Sequence, residues 1–164
     1  MPYQFRPVTD ADIPLLRDWR ARPHVRQWWG APELEDPADL LAMDAVAMWI
    51  VEHDGRPFAY AQDYSPHHWA AHPFAYLPPG SRGIDQYIGE ADMLDRGHGS
   101  AFIRSHVERL FAAGVEVVGT DPHPGNARAI RAYEKAGFII VSGPMDTRWG
   151  RAVLMENWRR PRPG

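Results

Sequence analysis

Apolar residues along this chain recur at two periods, every second position in some stretches and every third or fourth in others. The first period marks strands and the second amphipathic helices. Residues 3–8 alternate and read as an edge strand, where Pro7 is tolerated. Thr9 is placed as an N-cap with Asp10 and Asp12 in the first turn. Ile13, Leu15, Leu16 and Trp19 then form the stripe of a helix ending near Ala21, before Pro23. Residues 24–30, HVRQWWG, fit neither period and read as a loop wall. Asp36 and Pro37 supply an N-cap and first-turn proline for a helix over 38–46. Two strands follow, 48–53 and 56–64, joined by a two-residue turn at Asp54-Gly55. On the second, Tyr60, Gln62 and Tyr64 share one face, which lines a cleft or meets solvent.

The second half changes character. Residues 65–82 form the longest loop, with four prolines and His67, His68 and His72, and are expected to act as a substrate-side lid. A strand over 84–89 follows, then Gly97 and Gly99. A helix comes next, with its stripe on Ala101, Phe102, Ile103, Val107, Leu110 and Phe111, closed by Gly114. Residues 115–120 read as a strand. Asn126 caps a helix with inward Ala129, Ile130, Tyr133 and Ala136, ended by Gly137. Residues 138–141 and 152–157 are the closing strands, and 158–164 a loose tail. There is no internal repeat and no linker, so residues 1–164 read as a single domain.

Composition narrows the function. There are no cysteines, which removes disulfides, zinc thiolates and a thiol nucleophile and fits a cytoplasmic location. Net charge is −3, a poor match for nucleic acid. The start of the chain has no apolar signal segment, and no run approaches a membrane span. The histidines at 67, 68 and 72 share their loop with no carboxylate and follow no ligand spacing, so no metal is expected. Seven tryptophans include the adjacent pair Trp28 and Trp29, candidates for a ligand wall.

The order strand, glycine loop, helix around Gly97 and Gly99 carries the chemistry. A helix N-terminus offers about four unbonded N–H groups and a positive dipole end. Glycines before it let a phosphate approach the backbone. Neither the dinucleotide fingerprint nor a P-loop is present. Asn126 and Tyr133 are seven residues apart, nearly two helical turns, and so share a face. If the two parallel central strands splay, a thin molecule fits between them, its amides held by Asn126 and its far end met by Tyr133.

These residues resemble the GNAT superfamily of acyl-CoA-dependent N-acetyltransferases. The GSAF run after His98 and the run NARAIRAYEKAGF are similar to that family's two cofactor motifs. In the register set by Gly97 and Gly99, Leu94 stands where the family has Gln or Arg; shifted by two, Arg96, Gly99 and Ala101 fit. Within the family the chain is similar to aminoglycoside 6′-N-acetyltransferases. The pieces VRQWWG, YAQDY, RGIDQ and TDPHPGNARAIRAYEKAGF occur in order over most of the chain. The resemblance implies an α+β (α/β-like) GNAT fold: a single mixed central sheet of about six to seven strands, flanked by helices, with splayed central parallel strands. It implies acetyl-CoA as cosubstrate, bound by Met93, Leu94, Arg96, Gly97, His98, Gly99, Ser100, Asp121, Asn126, Ala129 and Tyr133. It implies a cationic amine acceptor, an aminoglycoside 6′-amine first, held by Trp28, Trp29, Tyr60, Gln62, Tyr64 and Asp85. Asp85 and Tyr133 are then the catalytic pair. The resistance enzymes carry several acids in the loop before RGIDQ, whereas this loop carries none.

The chemistry of the residues agrees. Transfer to an amine needs a neutral nucleophile, a polarised thioester and a proton for the departing sulfur. Asp85 can hold an ammonium and take its proton, strand N–H groups can bond the thioester oxygen, and Tyr133 can supply the last proton. Two alternatives stand beside this: a hydroxylysine-type siderophore-precursor acyltransferase, and a non-catalytic acyl-CoA-binding relic. The expected state is a monomer or homodimer.

Overall fold

The computed structural model describes residues 2–163. Five helices form: α1 (Ile13–Ala21), α2 (Pro23–Trp29), α3 (Pro37–Leu41), α4 (His98–Ala112) and α5 (Ala127–Lys135). Strands β1 (Tyr3–Pro7), β2 (Val46–His53), β3 (Arg56–Tyr64), β4 (Arg82–Ile88), β5 (Val117–Thr120), β6 (Ile139–Ile140) and β9 (Met155–Trp158) share one sheet. Its order is β1-β2-β3-β4-β5-β9-β6. A separate hairpin joins β7 (Met145–Thr147) to β8 (Gly150–Ala152). The sheet is mixed: β4 and β5 run parallel, whereas β1–β2, β5–β9 and β6–β9 are antiparallel. β1 is an edge strand, as its sequence requires.

By contact density the chain forms two compact units. One takes Met1–Asp63 with Asp85–Gly99, the other Tyr64–Ile84 with Ser100–Gly164. In the first, Thr9 and Asp12 form a capping box that starts the chain into α1. Leu16 and Trp19 on α1, Ile50 on β2 and Tyr60 on β3 are fully enclosed in its core. The turn between β2 and β3 has Asp54 at φ 51° and Gly55 at φ 77°, the left-handed pair a two-residue hairpin demands. At the end of β4, the N–H groups of Gly89 and Glu90 both donate to Phe58 O, at 2.8 and 3.1 Å. Two residues opposing one is a β-bulge, which bends the strand there.

The second unit packs Phe74, Leu77, Val117 and Leu154 together. A Cβ at Gly119 would lie 2.8 Å from the Phe74 ring, so β5 lacks a side chain where the loop crosses it. Pairing between β4 and β5 runs through Arg82↔Val118 and Gly83↔Gly119, after which Thr120 Oγ1 donates to Ile84 O at 3.1 Å.

Several expectations are corrected. Residues 24–29 are helical: Pro23 starts α2 and Gly30, at φ 106°, ends it, and two turns are too short to display a period. The helix expected over 38–46 stops at Leu41, and Val46 already belongs to β2. Gly99 lies within the first turn of α4 rather than before it. The closing strands are shorter, and the β7–β8 hairpin was not anticipated. The expected loose tail is tied at its start, since Trp158 ends β9 and Arg159 N–H donates to Glu116 O at 2.9 Å; Gly164 lies outside the described residues. Residues 65–81 are no free lid. Phe74 and Leu77 are core residues, and His72 is buried.

His72 stacks on Phe74 and packs against Trp149, with ring centroids 6.0 and 4.9 Å away. Its Nδ1 accepts the Phe74 N–H at 3.0 Å. Burial, reinforced by His67 and Arg148, pushes its pKa down to about 4. The unfolded chain, with a value of about 6.5, therefore binds the proton first. The contribution of His72 is whole above that pH and is lost as pH falls toward 4. Its size is at most on the order of 3 kcal/mol. His72→Asn keeps an acceptor for Phe74 but cannot titrate. Its unfolding free energy in denaturant should fall less than that of the wild type between pH 7.5 and 4.5; equal losses would show that another group carries the acid sensitivity.

Candidate active site

Asp85 is half-buried on β4, in the first unit. Gln62 Nε2 donates to its Oδ2 at 3.1 Å, and Tyr60 Oη donates to Gln62 Oε1 at 2.6 Å. Both come from β3, where residues two apart point the same way. Below them Tyr60 stacks on Tyr87, centroids 5.2 Å apart, and meets Trp29 edge-on at 5.8 Å. The Arg20 guanidinium lies 5.3 Å from the Trp29 ring and 5.4 Å from the Tyr60 ring. Tyr60, expected in the substrate wall, has no exposed surface and lies under Gln62. Gln62 and Tyr64 are also buried. Trp28 is 43% exposed and remains accessible, while Trp29 packs partly against the core.

The turn after β4 is clamped from several sides. A Cβ on Gly89 would fall 2.2 Å from the Trp19 indole, so the glycine lets α1 rest on the strand end. Arg22 donates to Gly89 O and to Glu90 Oε1, both at 2.9 Å, and holds the Glu90 carboxyl below its usual range. Arg56 grips Asp92 through two bonds of 2.8 Å. The chain then passes Met93, whose side chain is buried so that only its backbone is available, and half-buried Leu94. Asp95 at φ 57° and Gly97 at φ 81° turn it into α4. A Cβ on Gly97 would touch nothing within 4 Å, so conformation rather than crowding calls for glycine there. Arg96 and Gly97 are exposed, while His98, Gly99 and Ser100 are half-buried. His98 Nδ1 bonds Tyr3 Oη at 2.9 Å; burial, with His53 and Arg96, lowers its pKa.

The other expected residues belong to the second unit. Half-buried Asp121 follows β5. Asn126 caps α5, its Oδ1 accepting the Ala129 N–H at 3.2 Å. Tyr133 is 6% exposed and meets Phe138 edge-on at 5.4 Å. Tyr64 lies beneath Gly83, where a Cβ would be 2.2 Å from its ring, and packs on Trp69 and His72. A pocket of about 400 Å³ is lined by Ala71, Pro73 and residues 145–149; none of the expected site residues lines it.

Arg20 and Tyr87 escaped the sequence reading. Arg20 occupies the last turn of α1 and looks like a solvated charge, yet it is 1% exposed. Only the aromatic pair at 28–29 hinted at a platform for a cation. Among the described residues no group of three or more His, Cys, Asp or Glu is placed to hold a metal. No described helix is long and apolar enough to cross a membrane.

Comparison with known proteins places this arrangement. The family model for the acetyltransferase (GNAT) domain matches residues 8–143. The aminoglycoside N(6')-acetyltransferase type 1 of Klebsiella pneumoniae is 38% identical over 169 aligned residues, covering 94% of this chain and 82% of the relative. A kanamycin resistance protein of Rhizobium radiobacter is 47% identical over 83 residues, 50% of this chain and 76% of that one. The solved structure of AAC(6')-Ib with paromomycin and acetyl-CoA superposes with a TM-score of 0.86 at 36% identity, covering 99% of both chains. AAC(6')-Ib with coenzyme A and kanamycin gives 0.85 at 37%, over 96% of this chain and 95% of that one. The chain belongs to the GNAT family of N-acetyltransferases.

Proposed function

We propose that this enzyme moves the acetyl group of acetyl-CoA to a primary amine of a small cation, with an aminoglycoside 6′-amine as the leading acceptor. The observation that carries the reading is the half-buried Asp85, oriented by Gln62 on the strand after RGI, in a chain whose full-length relatives acetylate aminoglycosides. Residues 1–164 act as one catalytic domain; in support, the family match runs through both units.

Acetyl-CoA supplies the acyl group and a thiol leaving group. The backbone from Arg96 to Ser100, open at Gly97 and leading into α4, suits the pyrophosphate. The remaining cofactor contacts fall to Met93, Leu94, Asp121, Asn126 and Ala129. Asp85 holds the incoming ammonium through a charge-assisted bond, and Trp28 offers an exposed aromatic face to the cation. Asp85 takes the amine proton, directly or through water, and Tyr133 protonates the departing sulfur. No acyl-enzyme is required.

Calorimetry should detect acetyl-CoA binding that chelator leaves unchanged. Gly97→Val forces a β-branched residue into φ 81° and should weaken it by tenfold or more, on the order of the 1–3 kcal/mol such strain carries. Unaltered affinity would remove the loop from the cofactor site.

Tyr133→Phe should lower kcat by about 10²–10⁴-fold while leaving acetyl-CoA affinity nearly intact. Full activity across pH would assign the proton to another group.

An acetyl-CoA-dependent screen against aminoglycosides, polyamines and hydroxamate precursors tests the acceptor. Kanamycin-type amines should be acetylated with a high KM that added salt moves modestly, because residues 65–82 carry no acid. Asp85→Asn should reduce both binding and rate, with the defect shrinking at high pH, where free amine is abundant. No turnover of any amine, or a wild-type rate in Asp85→Asn, would sink this reading.

A further inference from the structure

We infer that Tyr60 and Gln62 form a fixed relay of donors that keeps the Asp85 carboxylate ionised and in one orientation, making both of them positioning residues for amine transfer. The inference rests on the reading of Asp85 as the acid that receives the acceptor amine.

The direction of the relay follows from what each group can do. An ionised carboxylate only accepts hydrogen bonds, so the Gln62 atom 3.1 Å from Asp85 Oδ2 must be its NH₂. The amide carbonyl then faces Tyr60, whose hydroxyl must donate across 2.6 Å. A flipped amide would set a carbonyl oxygen against a carboxylate oxygen, two acceptors in a poorly hydrated place. Gln62 is 7% exposed and Tyr60 has no exposed surface, so water does not compete for either bond. Every proton in the line therefore points toward Asp85, and hydrogen bonds to the charged form favour it.

The surroundings keep the relay in that state. From α1, Arg20 lies over the Tyr60 ring, with Glu35 3.4 Å from its guanidinium. From β4, Tyr87 stacks on Tyr60, and from α2 neutral Trp29 closes the edge. Asp63, next on β3, accepts from Trp49 Nε1 at 2.8 Å. Burial raises the Tyr60 pKa well above its ordinary value, so its hydroxyl keeps its proton through the working range. Gln62, locked by Tyr60, then sets the plane in which Asp85 meets an ammonium.

The test compares pH profiles of kcat/KM for acetyl transfer to kanamycin in the full chain, with Tm measured alongside. Gln62→Glu sets a second acid beside Asp85 and should raise the acid limb by about one pH unit, with activity recovering at high pH. Gln62→Met removes the donor at similar length and should raise KM roughly tenfold, with a smaller upward shift of the limb. Tyr60→Phe frees the amide to flip and should shift the limb in the same direction, by less. A merely structural role would lower Tm and kcat without moving the limb. Folded Gln62→Glu and Gln62→Met with a wild-type limb and KM would overturn the relay, even while an inactive Asp85→Asn upheld the role of Asp85. A wild-type Asp85→Asn would overturn both.

Discussion

The first unit depends on the contact between Trp19 and the bare backbone of Gly89. Any side chain at residue 89 would occupy the indole, with a Cβ only 2.2 Å from its atoms. Because none is there, α1 settles on the end of β4, and everything that fixes the following turn becomes reachable. Trp19 Nε1 bonds Glu90, Arg22 reaches Gly89 O and Glu90, and His24 Nε2 meets Ile88 O at 2.9 Å. The bulge on Phe58 bends the strand at the same point. The loop leading to Gly97 and α4 thus leaves from a well-fixed base.

The second unit uses the same device. Gly83 and Gly119 each lack the Cβ that would strike an aromatic ring, Tyr64 in one case and Phe74 in the other. That is how the segment 65–81, rich in proline and histidine, sends Phe74 and Leu77 into the core. The buried faces of Phe74 and Leu77 are each worth roughly 1.5–3 kcal/mol. Exposed ion pairs such as Arg151–Asp146 contribute about 0–1 kcal/mol. Packing therefore decides where the segment lies, and charge only trims it.

The sequence revealed what periodicity and turn chemistry encode. The β2–β3 hairpin, the Asn126 cap, the Gly137 stop and the strand before the glycine loop all form where their residues ask for them. It failed where long-range packing decides. Seven residues of α2 are too few to show a period. The loop over 65–81 looked polar and mobile because nothing local reveals that Gly119 leaves room for Phe74. For the site, Asp85, Gln62 and Tyr60 were legible as a group, since alternation on β3 and the RGIDQ motif mark them. What alternation could not reveal was depth: Tyr60 belongs to the same stripe as Gln62 but lies wholly inside.

Arg20 explains why that depth matters. A guanidinium removed from water carries a penalty of several kcal/mol. Its Nη1 reaches Glu35 O at 3.3 Å and Glu35 Oε1 at 3.4 Å, long contacts, while its Nε and Nη2 have no hydrogen-bond partner within 3.5 Å among the described residues. Two aromatic faces, Trp29 and Tyr60, offset part of the penalty at about 0.5–2 kcal/mol each. For stability alone, an aliphatic residue of similar volume would serve as well or better. What an aliphatic residue would not supply is a positive charge behind the Tyr60 ring. That charge opposes the effect of burial on the Tyr60 hydroxyl and makes it a stronger donor. The donor strength passes to Gln62 and on to Asp85, and it favours a carboxylate over a neutral acid. The same cation is withdrawn from solvent, 1% exposed and packed on two rings. The arrangement gives up some stability in the core of the first unit to set a positive charge behind the donors that reach the half-buried Asp85 carboxyl group.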